Sequence, residues 1–131
     1  MRIFGIGTDI VNINRIEHSL KKHGFSFKNR IFSKKEISYC EKKKNSSSSY
    51  AKRFAAKEAF TKALGTGNRK GVNFKDIEIS NNSQGKPSIS LKGDLAAYLK
   101  KKVKYKKYDI HLSLSDDKPW AQATVIISYN K

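Results

Sequence analysis

Apolar and polar positions change period several times along the chain, and each change marks an element. Residues 2–11 read as a strand: Ile3, Ile6, Ile10 and Val11 stand among small residues, Gly5 and Gly7 flank Ile6, and Asp9 lies at the end of the run. Glycine weakens a strand unless another backbone or a ligand comes close. Asn12 or Asn14 can cap a helix reaching about Lys22, because Ile13, Ile16 and Leu20 recur three and four apart and Gly24 stops the run. Phe25, Phe27, Ile31 and Phe32 are the anchors of the next segment. Ser33 followed three residues later by Glu36 is a capping-box signal for a short helix to about Cys40. The run from Glu41 to Ser49, nearly all Lys, Asn and Ser, reads as a loop.

The strongest helical pattern covers about 49–64, where Ala51, Phe54, Ala55, Ala59 and Ala63 combine propensity with period, and Gly65 closes it. Thr66 to Gly71 reads as a second loop. From Phe74 the period shortens to strand-like alternation through Ile77 and Ile79, with a turn over Asn81 to Pro87 and a return through Ile89 and Leu91. Gly93 to about Lys102 is helical, with Leu95, Ala96 and Leu99 on its apolar face. Ile110, Leu112 and Leu114 then alternate with Asp109, His111, Ser113 and Ser115. A turn at Asp116 to Pro119 precedes a last strand, Ala121 to Ser128, pairing back antiparallel. The expected fold is α+β, one domain over 1–131, with helices grouped against a mostly antiparallel sheet.

Composition narrows the class. The 131 residues suffice for one domain with a real core. A single cysteine excludes a disulfide framework and a thiolate zinc site within one chain, so Cys40 reads as a buried or incidental thiol in a reducing compartment. The start MRIFGIGTDIV has no signal-peptide pattern, and no stretch reaches the roughly 18 apolar residues of a membrane span, which points to the cytoplasm and to no membrane partner. Lys and Arg total 28 against 11 acidic residues, a net charge of +17 that steers anionic partners without choosing among them.

Three polar places can carry chemistry. Asp9 ends a glycine-containing strand and is either a turn or cap residue or a metal ligand at a strand end. Glu58 and Lys62 are four apart on the central helix, so they form a simple stabilising pair, or Glu58 faces a metal while Lys62 faces a phosphate. Asp9 and Glu58 would supply hard oxygens suited to Mg²⁺ completed by substrate phosphate and water. Asp109, His111, Ser113 and Ser115 share one strand face, which is either the wet side of a sheet or a place for phosphate and proton exchange. Nucleophile-elbow, Walker A and dinucleotide fingerprints are missing from the sequence.

Taken in order, Gly5-Ile6-Gly7-Thr8-Asp9-Ile10-Val11, Arg15, Arg53-Phe54-Ala55-Ala56-Lys57-Glu58-Ala59, Lys62-Ala63, Gly85-Lys86-Pro87 and His111-Leu112-Ser113-Leu114-Ser115-Asp116 resemble the holo-acyl-carrier-protein synthase family, the small bacterial 4′-phosphopantetheinyl transferases. The resemblance implies transfer of the phosphopantetheine arm of coenzyme A to a serine of an apo acyl carrier protein. Adenosine 3′,5′-bisphosphate is the other product, and the reaction supports fatty acid biosynthesis. It implies Mg²⁺ or Mn²⁺ and a homotrimer with active sites between subunits. By position, Asp9 and Glu58 would hold the metal, and Lys62 a phosphate of coenzyme A. His111, Ser113 and the Gly85-Lys86-Pro87 turn would line the nucleotide pocket. Arg15, Lys21 and Lys22 would receive the acidic helix of the carrier, and Glu36 would order or deprotonate the attacking serine. The competing expectations are a basic nucleic-acid-binding module and a pseudoenzyme of the same fold. No RNP-like aromatic pair, KH loop or helix-turn-helix pattern supports the first, so no specific nucleic-acid partner is expected.

Overall fold

The computed structural model describes residues 1–65 and 72–131; the expected loop over Thr66 to Gly71 lies outside the described residues. Strand β1 (Arg2–Asn12) leads straight into α1 (Ile13–His23), where the Asn12 side chain caps the helix by accepting from the Asn14 N–H at 2.9 Å. Gly24 ends α1 at φ 53°, a left-handed value open to glycine. The aromatic segment forms a short helix, α2 (Phe25–Ile31). Its anchors split, because Phe27 and the following Phe32 are buried whereas Phe25 faces solvent. Helix α3 (Lys34–Glu41) starts on the expected capping box of Ser33 and Glu36.

The polar run after α3 is only half loop. Helix α4 spans Ser46–Leu64, so it begins three residues before the expected position, with Asn45 capping the Ser48 N–H. The serines find distant partners: Ser47 donates to Glu17 at 3.1 Å and Ser48 to Asp116 at 3.0 Å. Tertiary hydrogen bonds thus hold a stretch that composition alone marks as irregular. Gly65 closes α4 in the left-handed conformation.

Phe74 begins a 3₁₀ turn (Phe74–Asp76) rather than a strand, followed by the hairpin of β2 (Ile77–Asn81) and β3 (Pro87–Leu91). Helix α5 covers Gly93–Lys102. Strands β4 (Tyr108–Asp117) and β5 (Trp120–Tyr129) run further than expected and turn tightly at Lys118-Pro119. They join β1 in an antiparallel sheet of order β1-β5-β4. The α+β expectation holds.

The joint between α4 and β1 governs the architecture. A Cβ at Gly5 would lie 1.8 Å from the Ala63 carbonyl oxygen, and one at Gly7 would lie 1.9 Å from that of Ala59. Helix and strand backbones therefore touch with no side chain between them. Ala55, Ala59 and Ala63 meet Ala123, Val125 and Ile127 of β5 in the main core. A second core gathers Ile13, Ile16, Phe27, Phe32 and Tyr50 beneath α1 and α2. The opposite face of the β1-β5-β4 sheet stays open in the protomer, with Ile3, Ile6, Ile10 and Trp120 between 47% and 64% exposed.

Candidate active site

Alternation along β1 puts Asp9 on the same face as Gly5 and Gly7, against α4. Because the glycines let α4 touch the strand, Lys62 reaches back across it. Its Nζ donates to Asp9 Oδ1 at 3.1 Å and to the Thr8 carbonyl at 3.0 Å. The Asp9 side chain is mostly covered and that of Lys62 is about half exposed, so the pair opens to solvent on the lysine side. Glu58 sits one turn before Lys62 on α4. Asp9 and Glu58 line one groove of about 820 Å³, together with Arg15 and His18 of α1 and with Phe54 and Trp120. The structure thus unites Asp9, Glu58 and Arg15 around one groove, with Lys62 bonded to Asp9. Lys21 and Lys22 occupy the last turn of α1 in solvent, with Lys21 at 3.8 Å from Glu17.

His111 and Ser113 are elsewhere. Their strand register, opposite Ile126 and Thr124, sets them on the open face of the sheet, away from α4 and Asp9. His111 Nε2 lies 2.9 Å from Ser128 Oγ. Next to them Gln122 accepts from Ser115 at 3.2 Å and donates to Thr8 Oγ1 at 3.0 Å.

The Gly85-Lys86-Pro87 turn is tied to α4 through Asn81. Asn81 Nδ2 donates to the Gly85 carbonyl at 2.9 Å, and its Oδ1 accepts from Arg53 Nη2 at 2.7 Å. Arg53 had no role assigned from sequence, yet it is only 2% exposed, and its guanidinium lies 4.1 Å from the Tyr39 ring centroid. Its Nε is buried without a hydrogen-bond partner among the described residues. It lines a second groove of about 310 Å³ with Lys43, Lys44, Lys52, Asn81 and Asp116. A buried cation with an unfilled donor is a place that favours an anion. The legible signal was a charged residue among alanines that the helical period turns inward.

Glu36 departs from the expectation that it meets the attacking serine. Its carboxylate is fully buried: Oε1 accepts from Ser33 N–H at 2.9 Å and from Lys57 Nζ at 2.8 Å, and Oε2 accepts from Ile79 N–H at 3.1 Å. Lys57 also donates to the Phe74 and Ile77 carbonyls. Burial pushes the Lys57 ammonium below its ordinary range, and the Glu36 carboxylate opposes that push. The pair ties α3, α4, the 3₁₀ turn and β2 together and presents nothing to an incoming hydroxyl.

Among the described residues no group of three or more His, Cys, Asp or Glu could hold a metal by itself. Two carboxylates beside a lysine suit instead a hard cation that takes its remaining ligands from phosphate and water.

Known proteins match this chain over nearly its whole length. The model of the 4′-phosphopantetheinyl transferase superfamily covers residues 5–123. The holo-[acyl-carrier-protein] synthase of Rhizobium meliloti is 50% identical over 126 residues, 95% of this chain and 91% of the relative. That of Wolbachia pipientis is 50% identical over 129 residues, 95% of this chain and 97% of the relative. The crystal structure of the Neisseria meningitidis synthase superposes with a TM-score of 0.86 at 38% identity, covering 96% of this chain and 98% of that one. The Helicobacter pylori synthase in complex with coenzyme A gives 0.80 at 38% identity, over 94% and 99%. The chain belongs to the 4′-phosphopantetheinyl transferase superfamily, in its holo-[acyl-carrier-protein] synthase family.

Proposed function

We propose that this chain, acting as one catalytic domain over 1–131 in the cytoplasm, moves the 4′-phosphopantetheine arm of coenzyme A onto a serine of an apo acyl carrier protein, in support of fatty acid biosynthesis. The serine oxygen bonds to the β-phosphorus of coenzyme A and gives its proton to solvent water. The bridging bond to the α-phosphate breaks, and adenosine 3′,5′-bisphosphate departs with the electron pair. The observation that carries the reading is the meeting of Asp9 with Lys62 and with the Glu58 groove. Asp9 and Glu58 would hold Mg²⁺, with Mn²⁺ as a substitute, and the bound ion would polarise the diphosphate. Lys62 is exposed enough to turn from Asp9 toward a phosphate oxygen and to neutralise charge growing there. Arg53, Lys43 and Lys52, beside the Gly85-Lys86-Pro87 turn, would receive phosphates of the nucleotide. Arg15, Lys21 and Lys22 on α1 would meet the acidic carrier and make its capture sensitive to salt.

His111 and Ser113 enter this site only through a second copy. They lie on the sheet face opposite Asp9. That face carries Ile3, Ile6, Ile10 and Trp120 around a polar ladder of Thr8, Gln122 and Ser115. Its exposed apolar side chains are what an interface between identical copies would cover. A homotrimer with shared sites follows from the reading. Glu36 keeps a structural place in it.

The test is the intact mass of an apo acyl carrier protein after incubation with the chain, coenzyme A and Mg²⁺, with EDTA as control. A metal-dependent gain of one phosphopantetheine supports the reading. No gain across several apo carriers, with the protein folded, removes it.

A further inference from the structure

The end of α5 carries a feature that the transferase reading leaves without a task. Residues 100–107 contain six lysines, Lys100, Lys101, Lys102, Lys104, Lys106 and Lys107, all exposed. The segment is a built knuckle. Lys104 N–H donates to the Lys101 carbonyl at 3.0 Å and Tyr105 N–H to the Lys100 carbonyl at 2.8 Å, while Val103 is buried beneath. Lys104 and Tyr105 hold φ of 56° and 63°, consecutive left-handed values that side-chain-bearing residues adopt at a cost. The outcome of that geometry is a Tyr105 ring that is 72% exposed at the crest of the lysines. Tyr98, also exposed, lies one helical turn before Lys102, whose ammonium is 5.4 Å from its ring centroid.

We propose that this knuckle docks on an anionic phospholipid surface, the lysines meeting headgroup phosphates while Tyr105 seats its ring at the interface. Lysines near such a surface add attraction residue by residue, and tyrosine is suited to a boundary that is apolar below and wet above. Neither groove described above includes a residue of 98–107, so the crest fits a flat partner better than a strand that needs a channel. The cluster is all lysine, without the arginines that read nucleic acid through bidentate contacts. The knuckle leads into Tyr108, which pairs with Tyr129, the partner of Arg2, so it lies at the Arg2 end of the sheet. Asp9 is seven residues further along β1, about 24 Å of strand away. A surface-bound protein would therefore keep its groove open to a carrier arriving from solution. No helix among the described residues is long and apolar enough to cross a membrane, and surface docking needs none.

Flotation with vesicles of phosphatidylcholine containing about one-third phosphatidylglycerol, against pure phosphatidylcholine, tests the proposal. At about 0.1 M salt the unmodified chain should float at least about tenfold more with the anionic vesicles, and about 0.5 M salt should abolish this. Lys101→Glu/Lys104→Glu/Tyr105→Ser should lose about tenfold in binding, while its coenzyme A and carrier kinetics stay unchanged. Lys34→Glu/Lys35→Glu, with a comparable charge change at another surface, should keep the binding. Equal losses in both variants would mean that net charge alone is responsible and would overturn the proposal. So would a raised carrier KM in the knuckle variant, or tighter binding to a single-stranded oligonucleotide than to vesicles at the same salt.

Discussion

Replacing Lys57 by methionine tests how the fold supports its site. The ammonium donates to Glu36, to the Phe74 carbonyl and to the Ile77 carbonyl, and neither it nor Glu36 has any exposed side-chain surface. Methionine keeps most of the volume, so the loss is electrostatic. Removing one member of a buried pair costs about 3–5 kcal/mol, because the other charge stays buried. Here the Ser33 and Ile79 N–H groups still serve Glu36, which tempers the loss, and the Phe74 carbonyl keeps the Ile77 N–H, while the Ile77 carbonyl loses a donor at about 1–3 kcal/mol. The net expectation is about 4–5 kcal/mol, set against a total stability of about 5–15 kcal/mol for an ordinary domain. Urea unfolding followed by circular dichroism measures it, with the midpoint falling at an unchanged slope. Glu36→Gln should cost nearly as much alone. The double variant should cost at least about 2 kcal/mol less than the sum, since one interaction is being removed twice. A Lys57→Met loss below about 1 kcal/mol, or strict additivity, would refute the claim that these two residues act as one buried unit.

Four further outcomes are expected. Glu58→Gln should retain the parent circular dichroism spectrum and lower turnover at fixed Mg²⁺ by about a hundredfold, read by the carrier mass assay. Gly7→Ala should lower the thermal midpoint sharply, because its methyl would lie 1.9 Å from a helix carbonyl that cannot move alone, at the upper end of the roughly 1–3 kcal/mol of overpacking. Arg15→Glu should raise the carrier KM about tenfold and flatten its salt dependence while leaving the coenzyme A KM unchanged. Hydrogen bonds from Lys28 and Tyr50 hold the Glu41 carboxyl below its ordinary value of 4.5. Its contribution is complete above that value and is lost as pH falls through the lower folded value. Glu41→Gln should therefore flatten the melting temperature against pH below about pH 4.5.

Much of the chain was legible because local chemistry and tertiary need agree. Asn12, Gly24, the Ser33–Glu36 box and Gly65 punctuate helices through their own backbone preferences, and the structure uses each of them. The start of α4 was hidden, since the bonds from Ser47 and Ser48 go to Glu17 and Asp116, whose positions only folding reveals. Lys57 and Arg53 carried no role from sequence for a related reason. Helix α4 is buried on nearly all sides, so the charge of a residue no longer marks it as outward. Glu36 showed its capping role but not the lysine that shares the capping oxygen. His111 and Ser113 shared a face as expected, yet alternation along one strand does not tell which face of a distant strand carries Asp9.

The contact of α4 on Gly5 and Gly7 also bears on how the groove behaves with temperature. Most helix–sheet seams have rotamers between them, and these loosen by hopping as the molecule warms. Here the spacing is fixed by atomic radii of the two main chains, which have no alternative states to populate. The main chains at Asp9 and Lys62 should accordingly keep their relative position until the whole sheet melts. In amide exchange, the protons of residues 5–9 and 59–63 should open only with global unfolding, as one cooperative unit.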